Sequence, residues 1–145
     1  MPDLSALLWP NAVAVIGASP DPHILRGRIM EVMNSHAFAG TIYPISRSHE
    51  EINGQRCYPS IDKVPTQVDL AVLIIPAQFV PDTLAACGEA GVRAAQILTS
   101  GFAEETGNDG AALQDEIRAI ALKYDMAVFG PNSEGFANTL NALCP

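Results

Sequence analysis

Ala12-Val13-Ala14-Val15-Ile16-Gly17-Ala18-Ser19-Pro20 opens with five consecutive apolar residues and breaks into a small-residue turn at a glycine. Alternation of apolar and polar residues would mark a strand with one wet face. An unbroken Val- and Ile-rich run of this length marks a strand buried on both faces, as in a parallel sheet. Outward from it, four more runs share the pattern, at residues 41–45, 70–75, 94–98 and 126–129.

Helical stripes lie between these runs. Leu25, Ile29, Val32, Met33 and His36 share one helical face. So do Val80, Leu84, Cys87 and Gly91, and so do Leu113, Ile117, Ile120, Ala121 and Tyr124. Gly40 follows the first helix, Gly91 closes the second, and Asp109 is placed to cap the third. Residues 51–64 contain Gly54 and Pro59 and read as a loop with at most a short helix. Strands alternating with helices predict an α/β domain, a Rossmann-like doubly wound five-stranded parallel sheet. Counting the runs in chain order, the expected strand order is 3-2-1-4-5.

The 145 residues suit one domain, and 48% hydrophobic against 17% charged residues is a globular composition. The net charge is −8, and eight Lys and Arg residues are scattered along the chain. A duplex-binding surface needs clustered basic residues, so nucleic acid is not the expected partner. The longest apolar run, residues 70–77, is interrupted by Pro76 and is far short of the ~20 residues of a membrane span. No basic run precedes the first apolar stretch, so no secretory leader is read there. Cys57, Cys87 and Cys144 fit no metal or redox spacing and read as reduced thiols. The chain is therefore expected to be cytoplasmic. It ends at Leu143-Cys144-Pro145 without a polar tail, and we expect a piece of a longer protein.

In a doubly wound sheet the ligand lies outside the carboxyl ends of the strands, so the residues that follow each strand matter most. After the first come Gly17, Ala18, Ser19 and Pro20: a glycine for a tight turn, a hydroxyl, and then Gly27 near a helix start, where free N–H groups favour an anion. The alternative is a plain β–α turn. Position 19 is serine where a dinucleotide fingerprint needs its second glycine, and no Gly-Lys-Ser/Thr of a Walker loop is present. After the second strand come Ser46, Arg47 and Ser48. An NAD site places an acidic residue here; Arg47 instead suits a phosphate on the ribose, or is simply a solvated arginine. Pro76 and Ala77 end the third strand, leaving either a flat apolar surface for a ligand or a plain strand stop. Thr99, Ser100, Gly101 and Phe102 follow the fourth, and Glu104 and Glu105 beyond them read as a solvated acidic loop. After the fifth comes Gly130-Pro131-Asn132, a turn that aims the Asn132 amide over the sheet edge, with Ser133 placed to cap a short helix.

Taken in order, Val15-Ile16-Gly17-Ala18-Ser19, Ile42-Tyr43-Pro44, Cys57-Tyr58-Pro59-Ser60-Ile61, Val68-Asp69-Leu70-Ala71-Val72, Pro76-Ala77, Ser100-Gly101-Phe102-Ala103-Glu104 and Gly130-Pro131-Asn132 resemble one family. It is the CoA-binding domain of NDP-forming acyl-CoA synthetases, the acetate–CoA ligase (ADP-forming) group, relatives of the succinyl-CoA synthetase α subunit. The likeness runs through nearly the whole chain. It implies that residues 1–145 are the CoA-binding domain of a longer ligase that joins a carboxylic acid to coenzyme A with nucleoside triphosphate cleavage. It also implies that Gly17–Ser19, the residues after the second strand, Pro76-Ala77, Thr99 to Phe102 and Asn132 contact coenzyme A. Where the family usually has cysteine after Gly-Pro-Asn, this chain has Ser133. By the same resemblance, a phosphohistidine domain and an ATP-grasp module lie elsewhere, and ATP or GTP and Mg bind only there.

His23, His36 and His49 do not match the phosphohistidine setting, show no metal-ligand spacing and form no nucleophile–base pair, so no catalytic residue is assigned to this chain. Two other readings stay open: an NADP-binding or sensor domain, which Arg47 permits, and a stand-alone coenzyme A-binding protein.

Overall fold

The computed structural model describes residues 3–107 and 109–145. The five apolar runs become β1 (Ala12–Ile16), β2 (Thr41–Ile45), β5 (Leu70–Leu73), β6 (Ala94–Ile97) and β7 (Ala127–Phe129), all parallel. The three striped segments become α2 (Leu25–Ser35), α3 (Val80–Glu89) and α4 (Gly110–Lys123). Three short features add to these: helix α1 (Ser5–Leu8), an antiparallel ribbon of β3 (Glu51–Ile52) and β4 (Gln55–Arg56), and 3-10 turns at Ile61–Lys63 and Ala77–Phe79.

The sheet order is β2-β1-β5-β6-β7, which is 2-1-3-4-5 counting the five runs in chain order. The expected 3-2-1-4-5 is thereby corrected: the third run lies on the far side of β1, and β2 is an edge. Pro44 gives the physical reason. Its carbonyl faces outward and accepts from Tyr58 N–H at 3.0 Å. The nitrogen of a strand residue points to the same side as its carbonyl, and here that nitrogen has no hydrogen to donate. A strand cannot be completed on that side, so β2 cannot be internal. Only the bridge between Ile45 and Tyr58 forms there. The reversal of chain direction therefore falls between β1 and β5 rather than between β1 and β6.

Alternate residues of the strands feed two cores. Val13, Val15, Leu70 and Val72 point to one face, packed with Met30 and Met33 of α2, Leu7 of α1 and Leu143. Ala14, Ile16, Ala71, Leu73 and Ala95 point to the other, under Leu84 and Cys87 of α3 and Ile117 of α4. The alanines on the second face leave room for both helices to approach. The Nδ2 groups of Asn138 and Asn141 donate to the Leu8 carbonyl at 2.7 and 3.0 Å, fastening the last residues to α1. Asp69, just before β5, accepts the N–H groups of Asn11 and Ala12 at 2.7 and 3.1 Å, and so sets the register of β5 against β1. Asp109 occupies the α4 N-cap without a side-chain hydrogen bond to the helix. Among the described residues no helix is long and apolar enough to cross a membrane.

Candidate functional site at the carboxyl edge

The β1–α2 turn begins at Gly17, whose φ is +91°; a Cβ there would lie 2.3 Å from the Ile74 carbonyl oxygen. Only glycine combines that conformation with that closeness. The N–H groups of Gly17 and Ala18 both donate to the Ile45 carbonyl, at 3.0 and 3.2 Å. These amides hold the end of β2 against β1 and are not free to receive a ligand. Ser19 is nearly buried, and its oxygen accepts from Asp21 N–H at 3.2 Å.

A groove of about 850 Å3 opens over this turn, at the reversal point between β1 and β5. Its floor is Ile16, Gly17, Ala18 and Ser19, with Ile75 and Pro76 from the end of β5. One wall is the segment after β2, Ser46 to His49, together with Arg26 of α2. Pro59, Ser60, Ile61 and Asp62 close the groove beyond them. The opposite wall is Phe79 and the α3 face carrying Asp82, Thr83, Ala86 and Glu89. The volume is in the range of small-molecule sites, roughly 300–1,000 Å3.

Charge is divided across the groove. Arg26 and Arg47 line one wall, and Asp82 and Glu89 the other. Asp62 is held by Lys63 at 2.8 Å and by the Ser60 hydroxyl. Those contacts, the lysine first, keep its carboxyl below the ordinary carboxylate range. With its charge met by Lys63, Asp62 opposes an anion less than a bare carboxylate would. The cationic wall is thus the side of the groove suited to an anion; in the first turn of α2, Gly27 and Arg28 N–H already donate to the Ile24 carbonyl at 3.1 and 3.0 Å, which leaves the Leu25 and Arg26 N–H groups at the helix start.

Six of the fourteen residues expected at the site line this groove: Gly17, Ala18, Ser19, Ser46, Arg47 and Pro76. Gly27 does not. A Cβ there would lie 1.8 Å from the Asp21 carbonyl oxygen, so its missing side chain lets the turn pack onto α2. Pro20 also lies outside the groove lining. Phe102 is fully buried in the core beneath α3 and α4, which removes its ring from any ligand.

The remaining residues continue the same edge past the groove. The Thr99 hydroxyl donates to the Ile75 carbonyl at 2.7 Å, and Asn132 N–H donates to the Thr99 carbonyl at 2.9 Å. Gly101 approaches Ala77: a Cβ on it would be 3.3 Å from the Ala77 methyl. The Ala77, Thr99, Ser100, Gly101 and Asn132 loops therefore form one band leading away from the groove.

Two local expectations change. No helix follows Ser133; its hydroxyl oxygen accepts from Gly135 N–H at 3.0 Å and closes a turn. Glu104 is not merely solvated: its carboxylate accepts from Gly101 N–H at 2.7 Å and Phe102 N–H at 3.2 Å. Glu104's own N–H first, and then these two backbone donors, hold its carboxyl below the usual glutamate value of 4.5.

Sequence reasoning does not reach Arg26, His49, Ser60 or the polar face of α3 as groove residues. A signal for the last is present in the spacing: once Val80, Leu84 and Cys87 define the core stripe, Asp82, Ala86 and Glu89 fall on the opposite face and Thr83 on the flank of the stripe. The Cys57-Tyr58-Pro59-Ser60-Ile61 block, part of the family likeness, supplies lining positions at Pro59, Ser60 and Ile61.

A second cleft, of about 410 Å3, lies between α4 and Gly130–Pro131 and includes Gln114, Asp115 and Arg118. None of the fourteen expected residues lines it. Among the described residues no three His, Cys, Asp or Glu side chains gather as a metal cage.

A family described as "CoA binding domain" matches residues 11–139. The chain is similar to acetate–CoA ligase (ADP-forming) II of Archaeoglobus fulgidus, 40% identical over 143 residues, covering 99% of this chain and 21% of that protein. It is also similar to the α subunit of acetate–CoA ligase (ADP-forming) II of Pyrococcus furiosus, 41% identical over 130 residues, covering 90% of this chain and 28% of that subunit. Among solved structures, the dinucleotide-forming acetyl-coenzyme A synthetase 1 of Ca. Korarchaeum cryptofilum, in complex with phosphate and ADP, superposes with a TM-score of 0.92 and 38% identity, over 99% of this chain and 30% of that one. The chain thus spans less than a third of the length of each of these relatives.

Proposed function

Because the chain belongs to the CoA binding domain family, we propose that it supplies the coenzyme A site of an NDP-forming acid–CoA ligase. The observation that carries this reading is the groove at the reversal point between β1 and β5, with Arg26 and Arg47 on one wall and an apolar floor at Pro76. The whole enzyme joins a carboxylic acid to the coenzyme A thiol with cleavage of a nucleoside triphosphate. Residues 1–145 act as one module of it, and the phosphohistidine domain and ATP-grasp module that complete the reaction lie in other domains or subunits. ATP or GTP and Mg bind there. The ligase is cytoplasmic.

In this reading Arg47 takes the ribose 3′-phosphate. The pyrophosphate lies at the start of α2 by Arg26 and the Ser19 hydroxyl, since the Gly17 and Ala18 amides are already engaged. The pantetheine arm leaves over Pro76 and follows the Ala77, Thr99, Ser100 and Gly101 band towards Asn132. Gly27 and Phe102 support the fold beneath the ligand without touching it.

Arg47 also fits the 2′-phosphate of NADP, so the two ligands are compared directly. Calorimetry on this chain is expected to give tighter binding of coenzyme A than of dephospho-CoA or NADP. Arg47→Ala is expected to weaken coenzyme A about tenfold, the scale of one charge-assisted phosphate contact, and to leave dephospho-CoA unchanged. The chain alone turns over no acid, ATP and coenzyme A. NADP binding tighter than coenzyme A would overturn the reading.

A further inference from the structure

His49 lines the groove directly after Arg47 and Ser48, and its ring is held rather than loose. Nδ1 lies 3.1 Å from the Ser46 hydroxyl and 2.9 Å from the Ser48 hydroxyl. A hydroxyl both donates and accepts, so the two serines satisfy Nδ1 whether it is bare or protonated. The ring can change charge without losing its partners or its orientation. Among the described residues Nε2 has no protein hydrogen-bond partner, which leaves it as the ring donor available to a ligand.

Deepening the coenzyme A reading above, we infer that His49 is a protonation-dependent specificity residue: its Nε2–H donates to the same ribose phosphomonoester that Arg47 holds. Relative to a donor at position 49 that cannot charge, the preference for a phosphorylated ribose therefore strengthens as pH falls through the imidazole range. A neutral imidazole contributes a hydrogen bond, and the imidazolium contributes that bond plus a full charge facing a phosphate dianion. Histidine is the side chain suited to this because its charge changes between about pH 5 and 8.

Other charged groups share the groove with this ring: Arg47 on its own segment, Arg26 from α2, Asp62 from the 3-10 turn, and Asp82 and Glu89 from α3. Glu50 and Glu51 follow it along the chain. The phosphomonoester also titrates, with a second pKa of about 6, and weakens its own binding at low pH. The comparison must therefore be between proteins with the same ligand pair.

The test measures the ratio of dephospho-CoA to coenzyme A dissociation constants for the wild-type chain, His49→Gln and Ser46→Ala/Ser48→Ala, at about pH 6 and about pH 8. Glutamine keeps an N–H donor near Nε2 and cannot charge. At the lower pH the wild-type ratio should exceed that of His49→Gln by about three- to tenfold, the scale of one added charge-assisted contact in a solvated groove. At the higher pH the two should agree within about twofold. The double serine variant, with its ring released, should fall between them at the lower pH. Equal ratios for the wild type and His49→Gln at both pH values, with coenzyme A still bound by each, would overturn the inference and leave the coenzyme A site standing. Failure of the wild-type chain to bind coenzyme A at all would remove the site and the inference together.

Discussion

A side chain at position 17 would have to sit 2.3 Å from the carbonyl oxygen of Ile74, on a backbone that L residues rarely adopt. Gly17→Val is therefore expected to cost about 2–4 kcal/mol of stability in urea unfolding, from strain and displaced backbone together. A loss below about 0.5 kcal/mol, the size of an ordinary surface change, would contradict this role for the turn. Glu104 behaves differently, since its contribution depends on charge. Its folded-state pKa is depressed by backbone donors, so its tie to Gly101 and Phe102 is present above the ordinary 4.5 and is lost as pH falls through the lower folded value. Amide proton shifts of Gly101 and Phe102 should titrate together below 4.5, and Glu104→Gln should abolish that titration. Titration at or above 4.5 would mean that the carboxylate does not hold those amides. The glycine was legible in the sequence, because a glycine that ends a buried apolar run marks a turn too tight for a side chain. The glutamate was not, because nothing in an exposed Glu-Glu pair says which backbone it will fold back upon.

Each of the elements that build the sheet depends on a few residues at its ends. Asp69 joins the start of β5 to the start of β1 through two backbone N–H groups. Asp69→Ala should cost about 1–2 kcal/mol, the scale of a partly exposed charged hydrogen-bond pair, and Asp69→Asn should cost less because its amide oxygen still accepts. Chemical unfolding of both variants checks the order; equal losses would mean that the contact is not what ties the two strands. All five strands and three main helices were legible because buried parallel strands and amphipathic helices leave long periodic signatures. Helix α1 and the β3–β4 ribbon were not, since two to four residues are too short to carry a period. The order of the strands was readable in principle from Pro44, which bars β2 from the interior. The expected 3-2-1-4-5 follows from the Rossmann-like fold class alone and takes no account of that residue. The groove wall on α3 stayed hidden for a related reason: the sequence shows which face of a helix is apolar, while the packing of other elements decides what the polar face looks onto.

Across the whole molecule the two cores are closed by α1, α2 and the last residues on one side and by α3 and α4 on the other. What remains open is the carboxyl edge, where short turns from five strands meet. The order β2-β1-β5-β6-β7 moves the reversal point next to β5, and so brings Pro76 and α3 into the site in place of the β6 loop. That is why the residues after the first three runs gather in one groove, while Thr99, Ser100, Gly101 and Asn132 form a band beside it. Backbone amide shifts recorded while coenzyme A is added to the intact chain test this arrangement most directly. A site in the groove predicts the largest changes at Gly17 to Ser19, at Ser46 to His49 and along Thr83 and Ala86 of α3, with Gln114 and Arg118 beside the second cleft unmoved. Changes concentrated at that second cleft, with residues 17–19 and 46–49 unmoved, would contradict it.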